Sequence, residues 1–253
     1  SAGSFTGVYI AGSALADTLN FSAVTLTNIA RVEGGDGDDI ITGNTAVNTL
    51  WGGLGNDTID GGAGNDILVG DGGDDILIGG AGNDTMDGAA GIDTVDYSAA
   101  TVNLTINLAT TTAQTVVTGE SDTITNVENV TGGSGADTLT GSTLANVIKG
   151  GAGADRMTGG AGNDSIDGGL GADVAVFAGL QASYTISTVN GTTTITDNQP
   201  STDGNDGIDT LIATEKAEFK GGVQVGLAVP IILDLNGDGV TLIDPELSKA
   251  EFD

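Results

Sequence analysis

The 253-residue chain contains no cysteine and no histidine. Without cysteine it can form neither a disulfide nor a thiolate metal site. Without histidine it lacks the commonest general base, the serine–histidine hydrolase arrangement and histidine-ligated zinc sites. The sequence also contains no HExxH, GxSxG or phosphate-loop motif. We therefore expect no catalysis by this chain itself.

Basic and aromatic residues are also scarce. Six Lys and Arg residues stand against 35 Asp and Glu residues, which gives a formal charge of −29. This balance excludes nucleic acid as a partner, because no basic patch is present to neutralise phosphates. Aromatic residues make up 4% and glycine contributes 44 residues, so the apolar residues must line a narrow core that is built coil by coil.

Long apolar runs are absent as well, so we expect no transmembrane segment. The first residues lack the charged and apolar regions of a signal peptide. We interpret the chain as part of a larger secreted polypeptide.

The most prominent pattern is a nine-residue unit, GGxGxDxUx, in which U is a large aliphatic residue. It occurs without degeneration at Gly52–Asp60, Gly61–Val69, Gly79–Asp87, Gly150–Thr158 and Gly159–Asp167. This nonapeptide is the signature of a calcium-binding parallel β-helix. The three glycines allow positive φ angles, and carboxylate and carbonyl oxygens suit Ca²⁺ better than zinc or copper. Positions seven to nine predict a short strand with one inward side chain.

The units divide the chain into six segments. They are N-terminal capping coils (1–33), a first block of nonapeptides (34–96), a β insertion (97–131), a second block (132–176), a C-terminal β cap (177–228) and a tail (229–253). The aliphatic residue at position eight predicts the core column: Ile41, Leu50, Ile59, Leu68, Leu77, Met86, Val95, Leu139, Ile148, Met157, Ile166 and Ala175.

Three further elements surround the blocks. A Thr-Φ-x-x-Φ-x-x-Φ rhythm, in which Φ is apolar, recurs at Thr25–Gly35, Thr123–Gly133 and Thr210–Gly222, and we expect each to be a longer coil that starts or closes a stack. Apolar and polar residues alternate over Thr101–Thr110, which predicts a strand with one solvent-exposed face. Tyr184–Asp197 predicts a hairpin with a type I′ turn at Asn190-Gly191. The polar stretch Asn198–Gly207 is either a solvated loop or a further calcium loop.

The blocks resemble the RTX (repeats-in-toxin) family of secreted bacterial proteins. The resemblance implies that two nonapeptides form one coil, that loops eighteen residues apart stack on one edge, and that each calcium lies between successive loops. The expected fold is all-β: a right-handed parallel β-roll in two stacked calcium-binding blocks, with β capping elements and a C-terminal hairpin.

Carried onto this sequence, the resemblance implies four short columns of ligands. They are Asp39, Asp57, Asp75 and Asp93; Asn48, Asp66 and Asp84; Asp137, Asp155 and Asp173; and Asn146 and Asp164. Successive pairs give about eight calcium sites, and those with Asn should be the weakest. The resemblance also implies that carbonyls of the loop glycines complete each shell: Gly53, Gly55, Gly62, Gly64, Gly80, Gly82, Gly151, Gly153, Gly160 and Gly162.

Without metal, stacked carboxylates about 5 Å apart would repel by roughly 3 kcal/mol per pair at an effective dielectric near 20. Summed along the edges, this repulsion exceeds a typical domain stability of about 5–15 kcal/mol. We therefore expect the calcium-free chain to be largely unfolded. It would leave the cell unfolded by the type I route that the resemblance implies, and it would fold in extracellular calcium.

The tail carries a separate signal at Leu233–Glu246. Asp234, Asn236 and Asp238 alternate as in the first half of an EF-hand loop, but Pro245 replaces the bidentate Glu. The segment is either a β-turn or a non-EF calcium loop. It also resembles the start of a self-processing module that cleaves at an Asp-Pro bond. The matching position here is Val229-Pro230, so we expect no autocleavage.

Three functions remain open at this point. The first is a folding roll in an adhesin or other surface protein, secreted or held at the cell surface. The second is the C-terminal module of a secreted protease, lipase or epimerase, and the third is part of a surface-layer protein. The rest of the larger polypeptide is the expected partner, and other domains would carry any surface or glycan ligand.

Overall fold

The computed structural model describes residues 8–26, 29–117, 119–199 and 206–227, and the backbone of 231–233 and 242–244. The described chain is built of β-strands, with one 3-10 turn at Gln181–Ser183 and no α-helix. Within these ranges no helix is long and apolar enough to cross a membrane. The expected all-β parallel roll is confirmed.

The strands are short and follow one another at the spacing of the repeats. In chain order they are β1 (Val8–Ala11), β2 (Thr18–Asn20), β3 (Ile29–Asp36), β4 (Ile40–Asn44), β5 (Thr49–Leu54), β6 (Thr58–Gly62), β7 (Ile67–Gly72), β8 (Ile76–Ile78), β9 (Thr85–Ala90), β10 (Thr94–Asp96), β11 (Thr105–Asn107), β12 (Gln114–Val117), β13 (Glu120–Thr125), β14 (Asn129–Thr131), β15 (Thr138–Thr140), β16 (Val147–Gly153), β17 (Arg156–Thr158), β18 (Ser165–Gly171), β19 (Val174–Val176), β20 (Tyr184–Val189), β21 (Thr192–Asp197), β22 (Ile208–Ile212), β23 (Lys216–Phe219), β24 (Val223–Gly226), β25 (Ile231–Leu233) and β26 (Leu242–Asp244).

Three sheets form the walls of the roll. Sheet A has the order β1-β3-β5-β7-β9-β13-β12, sheet B the order β2-β4-β6-β8-β10-β14-β16-β18-β22-β21-β20, and sheet C the order β11-β15-β17-β19-β23-β24. Parallel neighbours within a block pair eighteen residues apart, as Ile41 with Ile59 and Leu50 with Leu68. Sheet B faces sheet A in the first block and sheet C in the second.

The core is the predicted column of position-eight side chains. Every member of that column is fully buried, because each short strand turns its middle residue inward and its two neighbours outward. Residues of the surrounding elements extend the column, among them Val32, Ile124, Val130 and Leu211. A one-residue-wide core of this kind has little apolar area to offset a charged surface.

The loop glycines fall into two classes, because not all of them use the positive φ that glycine allows. Most glycines at positions two and four have positive φ, such as Gly53 at 121° and Gly55 at 125°, but Gly133 and Gly135 do not. Position-one glycines such as Gly52 do not. They are required for space, because a Cβ at Gly52 would collide with a carboxylate oxygen of Asp57 and with the Gly70 carbonyl.

The two blocks are joined into one roll through sheet B. Val95 of β10 pairs with Val130 of β14, which in turn pairs with Ile148 of β16. The insertion ends sheet A with the antiparallel strand β12 and begins sheet C with β11. The predicted strand over Thr101–Thr110 is reduced to β11, in which Ile106 faces the core.

The C-terminal end is closed by antiparallel strands. The predicted hairpin is confirmed as β20 and β21, and both turn residues have positive φ, at 52° for Asn190 and 80° for Gly191. Phe177, Tyr184 and Phe219 lie beneath it, with ring centroids 5.1 to 5.5 Å apart. This cluster covers the end of the narrow aliphatic column, which would otherwise face water.

In the tail, β25 and β26 pair antiparallel, with Leu233 opposite Leu242. The predicted ligands Asp234, Asn236 and Asp238 lie outside the described residues, so that site stays a prediction. Residues 200–205 of the polar loop also lie outside them.

Candidate metal centres

Acidic side chains stack in a hydrogen-bonded ladder at the edge where loops enter sheet B. The N–H of Asp39 donates to Oδ1 of Asp57, Asp57 to Asp75, and Asp75 to Asp93, each at 2.7 to 2.8 Å. We call this the long edge. It comprises Asp17, Asp39, Asp57, Asp75, Asp93, Glu128, Asn146, Asp164 and Asp209. The step from Glu128 to Asn146 is made differently, because the Asn146 side-chain amide donates to the Glu128 carbonyl.

The opposite edge is divided in two, because sheet A faces sheet B in the first block and sheet C faces it in the second. The first short edge holds Asn48, Asp66, Asp84 and Asp122. The second short edge holds Asp137, Asp155, Asp173 and Glu215. The eighteen-residue stacking expected within each block is therefore what the backbone shows. The long edge also continues across the insertion, which was not expected.

Nine of the Asp residues in these ladders have one satisfied and one free oxygen. Oδ1 accepts the N–H from the preceding coil, while Oδ2 is buried and has no hydrogen-bond partner among the described residues. This holds for Asp39, Asp57, Asp66, Asp75, Asp84, Asp93, Asp155, Asp164 and Asp173. Leaving so many buried carboxylate oxygens without a partner is costly, so they fit a cation that the geometry is built to receive.

Seven of the nine free oxygens lie opposite a backbone carbonyl, with the position-one glycine of their loop between the two, in what we call a cradle. At Gly61, the space of a Cβ is bounded by Asp66 Oδ2 at 2.6 Å and by the Gly79 carbonyl oxygen at 2.8 Å. The same pair of oxygens, one from the loop's own Asp and one from the next coil, recurs at Gly34, Gly52, Gly70 and Gly150. Carboxylate and carbonyl oxygens in one irregular shell match the preference of Ca²⁺.

No group of three or more acidic side chains converges on one point within the described ranges. Two carboxylates at most therefore serve each cradle, and carbonyls must supply the rest of the shell. The carbonyls that lie beside these Oδ2 atoms belong to position-one glycines such as Gly52, Gly70 and Gly79. That carbonyls of the position-two and position-four glycines complete each shell stays a prediction. When bound, calcium would bridge successive coils and neutralise the stacked carboxylates.

Three of the predicted ligands differ from the others. Asn48 Oδ1 already accepts the N–H of Asn44, and Asn146 Oδ1 that of Ser142, both at 2.7 Å. Asp137 Oδ2 likewise accepts the N–H of Gly133 at 2.9 Å. Three of the eight predicted inter-loop sites begin with these residues: Asn48–Asp66, Asn146–Asp164 and Asp137–Asp155. In each of the three, the first residue has no unoccupied side-chain oxygen to offer a cation.

Position five carries a second ladder that the motif alone did not indicate. The side chain of Asn56 accepts the N–H of Asp74, and the side chains of Asn65 and Asn163 accept those of Asn83 and Ile208, at 2.9 to 3.0 Å. These bonds run opposite in direction to the Asp ladder. The sequence signal for this ladder is the Asn that recurs directly before the motif Asp. Its side chain binds backbone N–H groups of the next coil and so has a structural role.

Sequence reasoning also missed the ladder members outside the nonapeptides: Asp17, Asp122, Glu128, Asp209 and Glu215. Their loops lack the glycine pattern. Three of them do stand in the fragment Asp-Thr-Φ, at Asp17, Asp122 and Asp209, which also occurs at Asp137. That short fragment could have placed them at the entry to a strand.

Burial raises the pKa of the ladder carboxyls. Desolvation raises the pKa of Asp75 to about 7 and the pKa of Asp57 and Asp66 to about 6, with neighbouring carboxylates adding to the effect. The physical cause is the loss of water around a negative charge that has no cation beside it.

The calcium-free chain should therefore become more stable as the pH is lowered from about 7 to about 5. The folded pKa of Asp75 lies above its ordinary value of 3.8, so the folded state holds protons that the unfolded state releases, and stability is lost as pH rises through that window. Far-UV circular dichroism in calcium-depleted buffer measures this. Asp75→Asn should weaken the response, and more β structure at pH 7.5 than at pH 5 would contradict the prediction.

Replacing a position-one glycine tests the cradles directly. Gly52→Ala should raise the calcium concentration needed for folding, because its Cβ would occupy the space between Asp57 and the Gly70 carbonyl. We expect about 1–3 kcal/mol of destabilisation. Gly72→Ala is the matched control, since a Cβ there would meet only Leu54 at 3.3 Å and a carbonyl at 3.8 Å. A calcium titration followed by circular dichroism compares them, and equal midpoints would exclude the cradle.

Comparison with known proteins agrees with this geometry. No curated protein gives a significant match. The family description "RTX calcium-binding nonapeptide repeat" matches in four copies, at residues 33–68, 60–95, 126–143 and 140–175. These segments contain the cradles described above, those of the first block at Gly34, Gly52, Gly61 and Gly70 and that of the second block at Gly150. The chain belongs to the RTX calcium-binding repeat family.

Proposed function

We propose that the chain is a calcium-folded rod within a larger type I-secreted protein, and that this protein is an adhesin or another surface protein. RTX repeats imply a calcium-binding β-roll of a type I-secreted protein, and such rolls are typically structural or binding elements. The role in adhesion goes beyond the repeats and rests on the architecture.

The observation that carries the proposal is the long edge. Its nine positions run through both blocks and across the insertion. At the spacing of neighbouring strands they span about 38 Å. Calcium bound along this edge, in the first block and where that block joins the insertion, would hold successive coils together, which suits a stiff spacer that holds other domains away from a cell.

The end of the roll supports the same proposal. Sheets B and C both finish in antiparallel strands, β20 and β24. Antiparallel end strands, together with the buried aromatic cluster, limit further edge-to-edge stacking. The stack of parallel coils therefore stops at this end of the roll, which is consistent with a spacer.

The test is the location of the roll on intact cells that produce the parent protein. An antibody raised against the folded 253-residue chain should label unpermeabilised cells in calcium, and brief EGTA treatment should expose the chain to added protease. A cytosolic protein serves as the control for lysis. Recovery of the roll only in the culture medium, linked to a catalytic domain, would favour the secreted-enzyme alternative. Retention in the cytosol would contradict both.

A further inference from the structure

Two turns outside the nonapeptides share a construction that the repeats do not have. They are Asp122–Glu128 and Asp209–Glu215, which we call the closing turns. Each begins with Asp-Thr, ends with Glu at the seventh residue, and has a non-glycine residue with positive φ at the fifth: Asn126 at 51° and Ala213 at 43°. Each carries the chain from one sheet to the next.

The closing turns lie at the ends of stacks. The coil that links Asp93 to Glu128 spans 35 residues and the one that links Asp173 to Glu215 spans 42, against 18 for a regular coil. The expectation that the Thr-rich elements form longer coils that close a stack is correct for these two. The turn itself is nevertheless shorter than a nonapeptide.

The Glu end of each turn reproduces a regular cradle. The N–H of Asp93 donates to Oε2 of Glu128 at 2.9 Å, and the N–H of Asp173 to Oε2 of Glu215 at 2.6 Å. These glutamates stand where a regular coil places the next Asp. The half-buried, longer Glu side chain makes up for the shorter turn.

The carbonyl of the positive-φ residue replaces the glycine carbonyl. A Cβ at Gly88 would meet the Asn126 carbonyl and Asp93 Oδ2, and a Cβ at Gly168 would meet the Ala213 carbonyl and Asp173 Oδ2. The left-handed conformation is unfavourable for Ala, and it turns this carbonyl toward the carboxylate.

Unpartnered oxygens point into both cradles. Asp93 and Asp173 are 0% exposed, and the Oδ2 atom of each has no hydrogen-bond partner in the described part of the chain. A buried carboxylate oxygen opposite a carbonyl oxygen repels it unless a cation lies between them.

The Asp ends of the same turns are built differently. At Gly79 and Gly159 the three atoms nearest to an added Cβ all belong to Asp84 or Asp164 of the same loop, with no carbonyl of the next coil among them. In the first turn, the Tyr97 hydroxyl donates to Asp122 Oδ2 at 2.7 Å and so occupies the oxygen that would face a cation. Only the Glu end has the composition of a calcium cradle.

We propose that each closing turn completes a calcium site in which Glu takes the place of the nonapeptide Asp: one formed by Asp93, the Asn126 carbonyl and Glu128, the other by Asp173, the Ala213 carbonyl and Glu215. The proposal rests on calcium binding by the roll, and it adds two sites beyond the nonapeptide pairs. These sites bind the last coil of each stack to the coil that closes it.

The test is the number of calcium ions bound by the full 253-residue chain, measured by native mass spectrometry and equilibrium dialysis. Glu128→Gln and Glu215→Gln keep an oxygen that can accept the Asp N–H but remove the charge. Each should bind about one calcium fewer than the unmodified chain at a concentration that just saturates it, and the double variant about two fewer. Glu120→Gln, two residues before Asp122 and outside the ladders, is the control and should lose none.

Unchanged stoichiometry in the Gln variants, with folding retained, would overturn the proposal and reduce these glutamates to acceptors of a backbone N–H. Ala213→Gly checks the carbonyl, because it keeps that oxygen and removes the conformational penalty; it should retain its calcium. If the unmodified chain itself binds no calcium, the proposed function fails instead, so the two failures are distinguishable.

Discussion

Removal of calcium with EGTA should unfold the chain almost completely. The ladders stack buried carboxylates from coil to coil, and nine of their oxygens have no hydrogen-bond partner within the described ranges. Desolvation raises the pKa of these groups. At neutral pH, keeping them ionised therefore destabilises the calcium-free folded roll relative to the unfolded chain.

The opposing contribution from the core is small. The column is one side chain wide, and its buried aromatic side chains, Phe177, Tyr184 and Phe219, lie at its C-terminal end. Calcium that binds the folded roll and not the unfolded chain stabilises folding by mass action, and binding free energy becomes folding free energy.

Small-angle X-ray scattering measures this effect as a change in size. The radius of gyration should be about 55 Å in EGTA, as for an unfolded chain of this length, and should fall to about 20 Å in millimolar calcium. Potassium chloride of equal ionic strength is the control for screening. A compact chain in EGTA would contradict the prediction, because it would show that repulsion between the stacked carboxylates does not unfold the roll.

The second large effect is expected at Asp57. Asp57→Ala removes the free oxygen of one cradle and the acceptor for the N–H of Asp39, and leaving that buried donor unpaired costs a further ~1–3 kcal/mol. Asn48→Ala should have a much smaller effect on calcium binding, since the only side-chain oxygen of Asn48 is engaged by Asn44. Both variants leave one buried N–H without its acceptor, but only Asp57→Ala also removes a free carboxylate oxygen, so we expect the calcium midpoint of folding to rise several-fold for Asp57→Ala and much less for Asn48→Ala.

Asp57→Asn separates the two contributions, because the amide oxygen can still accept the N–H of Asp39 while the charge is lost. Its midpoint should lie between those of the unmodified chain and Asp57→Ala. Isothermal calcium titrations followed by tryptophan fluorescence from Trp51 provide the measurement. Equal shifts for Asp57→Ala and Asn48→Ala would mean that the free Oδ2 atoms are not where calcium binds.

The sequence determined most of the repeat architecture. A period of nine places one Asp and one aliphatic residue at fixed positions, so the core column and the stacking of Asp57 on Asp75 follow without further information. The hairpin at Asn190-Gly191 was predictable for the same kind of reason, because few residues accept two consecutive positive φ angles.

The joining of the blocks was not predictable from the period. It depends on which strand of the insertion pairs with β10, and that choice is made by β14 through Val130. Glu128 and Glu215 were missed because the turns that carry them lack glycine. Their role also depends on positive φ at Asn126 and Ala213, which cannot be predicted from these residue types. Asn48 and Asn146 were predicted as weak ligands. Each accepts an N–H from its own loop, four residues earlier, and that local geometry is not encoded in the pattern.

The measurement that tests the central claim most directly is far-UV circular dichroism of the chain in EGTA, in millimolar magnesium and in millimolar calcium. The account predicts a disordered spectrum in EGTA, little change in magnesium, which resists irregular carbonyl-rich shells, and a cooperative transition to a β spectrum in calcium. A native β spectrum in EGTA that calcium leaves unchanged would contradict it.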